Sequence, residues 1–260
     1  MATTTDDVRL REFWNTRYAR FTLSESGWLG AGERLNNRIY ACKQHALRRA
    51  LASLGLTHDT PWSVLDAGCG QGHFARFYGR EYPRVSYVGV DISERAVAHL
   101  RQAIPAAEFH LADLCAWNDP KGRTFDVVQS LEVLHLILDD EVVTRALTNL
   151  KRHLAPAGSM LVTAAMPATT VQPSDYLRHR SRSFWDSTLQ RLGLRIVSER
   201  PMYYWLPDGG PRNKYVRYGL TRLGPDTLWA IDRAAFALGL PQPPSASIDC
   251  RTRLLTIQRA

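Results

Sequence analysis

The chain has 260 residues, 45% of them hydrophobic and 22% charged. That is the balance of a globular protein with a core of its own, and it excludes a disordered or fibrous chain and a small disulfide-stapled scaffold. The net charge of +8 is unevenly spread: residues 176–222 hold ten basic against three acidic side chains, whereas 61–175 hold ten against thirteen.

The first eleven residues include Asp6 and Asp7 and no apolar run, so they do not read as an export signal. No uncharged apolar stretch approaches the ~20 residues that span a bilayer. Residues 33–54 form one amphipathic helix, with Leu35, Ile39, Cys42, Ala46, Leu47, Ala50 and Leu54 at helical spacing. Short β-rich runs then alternate with helical stretches. Strands are expected over 63–68, 86–91, 108–113, 125–131 and 158–163. Helices are expected over 71–80, from an N-cap at Ser93 to Gln102, and over 139–153, the last stopped by Pro156 and Gly158. Alternation of this kind means βαβ units and a mostly parallel sheet. A helix over 183–192 and strands over 194–197 and 253–257 follow, with a turn-rich stretch of mixed character between the two strands. The domain division expected is an N-terminal helical cap over 1–60 and a ligand-binding domain over 61–260, with a lid-like insertion at about 202–248. Cys42, Cys69, Cys115 and Cys250 lie far apart without C-x-x-C spacing. They read as reduced thiols of a cytoplasmic protein, with no metal cluster expected.

The first strand runs into Asp66-Ala-Gly68-Cys-Gly70-Gln-Gly72-His73, a turn in which glycine at every second position lets backbone amides approach a ligand at a helix N-terminus. The next strand ends in Asp91, 19 residues beyond Gly72, where a carboxylate can accept both hydroxyls of a ribose. A dinucleotide fingerprint requires a third glycine where His73 stands, and Asp66 would repel a pyrophosphate. The pattern therefore favours a nucleoside with a cationic tail, and the absence of G-K-[ST] excludes a P-loop.

These runs, followed by Ala112-Asp113-Leu114, by residues 125–134 and by Leu154-Ala-Pro-Ala-Gly158, resemble the successive motifs of class I S-adenosylmethionine-dependent methyltransferases over about 62–165. The resemblance implies an α/β fold: a Rossmann-like three-layer sandwich on a seven-stranded, mostly parallel sheet whose last strand is antiparallel. It implies S-adenosylmethionine as cofactor, with S-adenosylhomocysteine as product. It places Asp66, Gly68, Gly70 and Gly72 along the methionine part and Asp91 with Ile92 on the ribose and adenine. It sets Asp113 and Leu114 at the adenine edge, and Ser130 and Leu131 below the sulfonium. An N-terminal segment with Trp14, Tyr18 and Trp28 resembles a prefix that folds over the cofactor in some such enzymes; packing of these aromatics on the sheet is the alternative.

Methyl transfer from a sulfonium mainly requires alignment, with a base needed only where the acceptor carries a proton of high pKa. His135 is the candidate base, although relatives place the histidine one residue later, at Leu136, and one residue on a helical turn rotates a side chain by about 100°. Tyr176, His179, Tyr203, Tyr204 and Arg212, with Trp28, are candidates for the acceptor pocket. No [DN]-P-P-[YFW] tetrapeptide and no Pro-Cys or Ser-Cys follows the fourth strand, which argues against adenine amino-group and C5-pyrimidine methylation. The expected function is transfer to an O, N or C atom of a small biosynthetic molecule, with anionic acceptors among the candidates, by a cytoplasmic monomer or homodimer. An RNA acceptor using the basic 176–222 segment and a cofactor-binding scaffold without catalysis are the alternatives.

Overall fold

The computed structural model describes residues 5–22, 25, 27, 32–202, scattered positions between 227 and 239, and 252–260. Among the described residues, α1 (Thr5–Arg17) and α2 (Gly32–Ser53) precede the sheet. The sheet then builds through β1 (Trp62–Ala67), α3 (His73–Glu81), β2 (Val85–Asp91), α4 (Glu94–Ala103), β3 (Glu108–Leu111) and β4 (Phe125–Ser130). A 3-10 turn at Leu134–Leu136 leads to α5 (Asp140–Arg152) and β5 (Leu154–Ala164). A hairpin of β6 (Val171–Ser174) and β7 (Leu177–His179) precedes α6 (Arg182–Arg191), β8 (Leu194–Pro201) and β9 (Arg253–Arg259).

The seven strands lie in the order β3-β2-β1-β4-β5-β9-β8. β1 to β5 pair in parallel and β9, the last strand, runs antiparallel to both β5 and β8, as the resemblance implies. Alternate strand residues feed two cores, the mark of a sheet covered on both faces. Val64, Val127 and Leu161 pack with Leu47 and Leu51 of α2, Phe77 of α3 and Leu100 of α4. Leu65, Val128 and Val162 pack with Leu147 of α5 and Leu189 of α6. Fully burying each such leucine contributes about 2 kcal/mol.

Helix starts follow local chemistry. Ser93 Oγ accepts from Ala96 N at 3.2 Å, and Asp139 Oδ1 accepts from Glu141 N and Val142 N at 2.6 and 3.1 Å. Pro156 and Gly158, expected to stop α5, lie inside β5, where the register against β4 jumps from Phe125↔Leu154 to Val127↔Ser159. Gly158 is needed at that jump, because a Cβ there would come within 2.8 Å of Phe125 O. The β6–β7 hairpin was not among the expected strands: its four- and three-residue segments are too short to show a period of two. The expected insertion at 202–248 lies almost wholly outside the described residues.

Candidate functional site

The glycine turn leaves β1 at the carboxyl edge of the sheet, beside the crossover to β4. Gly68 has φ of +88°, and a Cβ on it would stand 2.3 Å from Val133 Cγ2. Only glycine satisfies both the left-handed backbone and the contact. Gly68 N and Cys69 N both donate to Val90 O, at 2.7 and 3.0 Å, so the turn is fastened to the end of β2. Gly70 N donates to Asp91 Oδ2 at 2.7 Å and Ser93 N to Asp91 Oδ1 at 2.9 Å. Burial pushes the Asp91 carboxyl up, and the amides of Ser93, Gly70 and Ile92 oppose it. Each carboxylate oxygen keeps further acceptor capacity beyond the one amide it holds.

The other expected cofactor residues are placed as follows. Asp66 is buried beneath the turn, where its Oδ2 accepts from Tyr87 Oη at 2.5 Å. Burial raises its pKa to about 6, against hydrogen bonds from Tyr87 and Gln129. Its carboxylate thus faces the core layer. Ile92 is half-buried after β2. Asp113 Oδ1 caps the next turn, accepting from Cys115 N at 2.8 Å, and half-buried Leu114 packs on the α5 side of the sheet. Ser130 Oγ donates to Ala67 O at 3.1 Å, and Leu131 is buried.

The N-terminal helix closes over this edge. Asn15 Oδ1 accepts from Ser93 Oγ at 2.7 Å and from Arg95 N at 3.3 Å, which docks α1 on the start of α4. Tyr18, 5% exposed, brings its hydroxyl to 3.0 Å from where a Gly70 Cβ would sit. The Trp14 ring lies 5.2 Å from that of Tyr18. Phe13 stacks on Tyr176, at the turn of the β6–β7 hairpin, with ring centroids 6.2 Å apart. Trp28, Tyr203, Tyr204 and Arg212 lie outside the described residues.

A second group of side chains gathers just after β4. Glu132 has φ of +62°, a strained conformation for a residue with a Cβ. It is held by its amide donating to Thr163 Oγ1 of β5 at 2.6 Å and by its Oε2 lying 3.0 Å from Lys43 Nζ of α2. Burial pushes the Glu132 carboxyl up, but Lys43 and His135 outweigh it and bring it below its ordinary value. Burial also lowers His135, to about 4, against the pull of Glu132, and lowers His179. Both imidazoles are therefore neutral near pH 7, with ring centroids 6.2 Å apart. Arg180, 2% exposed, fixes the segment. Its guanidinium donates to Leu134 O at 3.2 Å, Ile137 O at 2.7 Å, Asp139 O at 3.1 Å and Asp140 Oδ1 at 2.9 Å.

His135 and His179 were expected here and do meet. Lys43, Glu132, Thr163 and Arg180 were not expected. Lys43 carried a readable signal: it falls on the apolar stripe of α2, four residues after Ile39 and four before Leu47. Glu132 betrays itself only through a backbone angle, and Arg180 only through carbonyls more than forty residues away.

Residues 64–158 match the family model described as a methyltransferase domain. Residues 64–158 thus have the sequence pattern of a methyltransferase domain. A trans-aconitate 2-methyltransferase of Azoarcus is 30% identical over 166 residues, covering 64% of this chain and 61% of that protein. The chain thus spans less than two thirds of that relative's length. In solved structures the fold is shared with a magnesium protoporphyrin IX methyltransferase of Synechocystis, with TM-score 0.60, 16% identity and full coverage of both chains. A Leishmania major S-adenosylmethionine-dependent methyltransferase aligns with TM-score 0.64 and 14% identity, over 97% of this chain and 82% of that one. The matched methyltransferase domain contains the glycine turn, Asp91, Asp113, Glu132 and His135, whereas Lys43, His179 and Arg180 lie outside it. Among the described residues, no helix is long and apolar enough to cross a membrane.

Proposed function

We propose that the chain is an S-adenosylmethionine-dependent methyltransferase acting on a small molecule. The observation that carries the reading is Asp91, buried at the carboxyl edge of β2, tied through Gly70 N to the glycine turn and retaining acceptor capacity towards that edge. The residues fit the cofactor: three left-handed glycines form a turn closed to any Cβ at Gly68 and Gly72, beside a carboxylate suited to ribose hydroxyls. Gly68, Gly70 and Gly72 would line the methionine part, with Asp66 bracing the turn from below. Asp91 and Ile92 would hold the ribose and adenine, Asp113 and Leu114 the adenine edge, and Ser130 and Leu131 the floor.

Bound there, S-adenosylmethionine supplies a methyl group on a sulfonium sulfur, open to in-line displacement. The chain's own contribution is alignment and exclusion of water. Tyr18 lies against the glycine turn at Gly70, with the Trp14 ring packed on it. Glu132, His135 and His179 border the acceptor side, where neutral His135 is able to hold a proton.

The acceptor is read as small. The relative's name puts a small organic acid, aconitate, as its acceptor, and the size class is what carries over. Among the described residues of the basic segment, Arg178 and Arg180 pair with Asp140, and Arg182 pairs with Asp186 and Glu199; these three are already engaged, which favours the small-molecule reading over the RNA alternative.

The test incubates the purified chain with methyl-labelled S-adenosylmethionine and a source-cell extract divided into small-molecule, RNA and protein fractions. Label in the small-molecule fraction is expected. Label confined to RNA or to protein, or in no fraction, would overturn the reading.

A further inference from the structure

We infer that Lys43, Glu132, His135 and His179 form the acceptor site, and that it takes a molecule presenting a hydrogen-bond donor, a hydroxyl or an amine, rather than a carboxylate as the group to be methylated. The inference rests on the methyltransferase reading and specifies its substrate class.

Three observations carry it. The first is polar groups buried without partners. Glu132 Oε1 and His179 Nδ1 are both shielded from solvent and make no hydrogen bond among the described residues. Such an orphan is destabilising until a binding partner completes it, and both of these stand in one cluster. Glu132 Oε2 is already occupied by Lys43 at 3.0 Å, so the carboxylate offers one free oxygen, which only accepts.

The second is charge. Lys43, 4% exposed, is paired with Glu132, so its positive charge is already compensated. Both imidazoles are held neutral by burial. A carboxylate entering here would meet the Glu132 oxygen with no uncompensated cation among these four side chains, and like charges at contact repel. A hydroxyl or amine would donate to Glu132 Oε1 and lose nothing.

The third is strain. Glu132 is held at φ of +62° by Thr163 Oγ1 and Lys43, and Val133 next to it packs against the missing Cβ of Gly68. A non-glycine residue kept there is strained, and here the backbone places a carboxylate at the junction of the glycine turn and the hairpin.

The experiment uses the labelled small-molecule product of the full chain and exposes it to mild alkali. A methyl ester of a carboxylate hydrolyses and releases volatile labelled methanol, whereas methyl ethers and N-methyl amines keep their label. Alkali-resistant label is expected; release as methanol would overturn the inference and leave the methyltransferase reading standing. Absence of label from every fraction would overturn that reading, and this inference with it. In parallel, Glu132→Gln and His179→Gln are each titrated with S-adenosylhomocysteine in a calorimeter. Affinity within threefold of the parent, with transfer reduced at least tenfold, is expected for each. Full transfer by both variants, or loss of cofactor affinity by a variant that still melts cooperatively, would remove these residues from the acceptor side.

Discussion

Gly68 carries two independent demands at one Cα. Its φ of +88° lies where L side chains pay steric strain, and a Cβ would stand 2.3 Å from Val133 Cγ2. Relief requires moving either the turn or the Glu132–Val133 segment, which Thr163 and Lys43 hold. Gly68→Ala is therefore expected to lose about 2–3 kcal/mol of stability and to weaken S-adenosylhomocysteine binding. A thermal melt paired with a cofactor titration checks both. An unchanged melting temperature would show that the segment yields freely. Gly55, also at positive φ with open space around its missing Cβ, is the control: Gly55→Ala should leave cofactor binding as it is.

At the scale of elements, the post-β4 segment and the hairpin are one unit because of Arg180. Its guanidinium holds three backbone carbonyls and the Asp140 carboxylate, and stacks 5.4 Å from the Phe184 ring. Arg180→Met keeps the length of the side chain but orphans those carbonyls, so stability should fall by about 3 kcal/mol. Methyl transfer should fall further than cofactor affinity, because the carbonyls belong to the segment bearing His135. Equal losses in rate and affinity would mean that Arg180 supports the whole domain rather than this segment. The same element shows where sequence reading stops. The order of strands and helices from β1 to β5 was legible, since each is a run of one period bounded by glycine, a cap or proline. The Gly68–Gly72 turn and the place of Asp91 at the end of β2 were legible because both are written in spacing along the chain. Arg180 and Glu132 were not, because what defines them is a set of carbonyls and a backbone angle created only when β7 returns to β4. Pro156 and Gly158 misled for the related reason that a break in register lets β5 begin before them.

For the whole molecule, the buried titratable groups set how stability responds to acid. Burial holds His73 at about 3 and His135 at about 4. Each contributes stability present above the unfolded value near 6.5 and lost as pH falls below it, since the unfolded chain takes up those protons first. Asp66, raised to about 6, acts in the opposite sense: its contribution is present below the unfolded value near 4 and lost as pH rises through about 6. Two histidines with the larger displacements outweigh one carboxyl. The fold should thus be less stable at pH 5 than at pH 7.5, by about 2 kcal/mol. Glu108 and Asp119, each lowered to about 2 by Arg123, extend the loss below pH 4.5. Asp66→Asn removes the opposing carboxyl, so its melting temperature should drop more steeply than the parent's between pH 6.5 and 5. Parallel curves for the two proteins would show that Asp66 titrates at its ordinary value.

The central claim is that the carboxyl edge of β1 and β2, with Asp91 tied to the glycine turn, binds the nucleoside of S-adenosylmethionine. Calorimetric titration of the full chain and of Asp91→Ala with S-adenosylhomocysteine tests it most directly. The account predicts one site per chain, with affinity at least tenfold weaker in the variant, equivalent to a loss of about 1.4 kcal/mol. No heat of binding with the parent chain, or equal affinity in the two proteins, would contradict it.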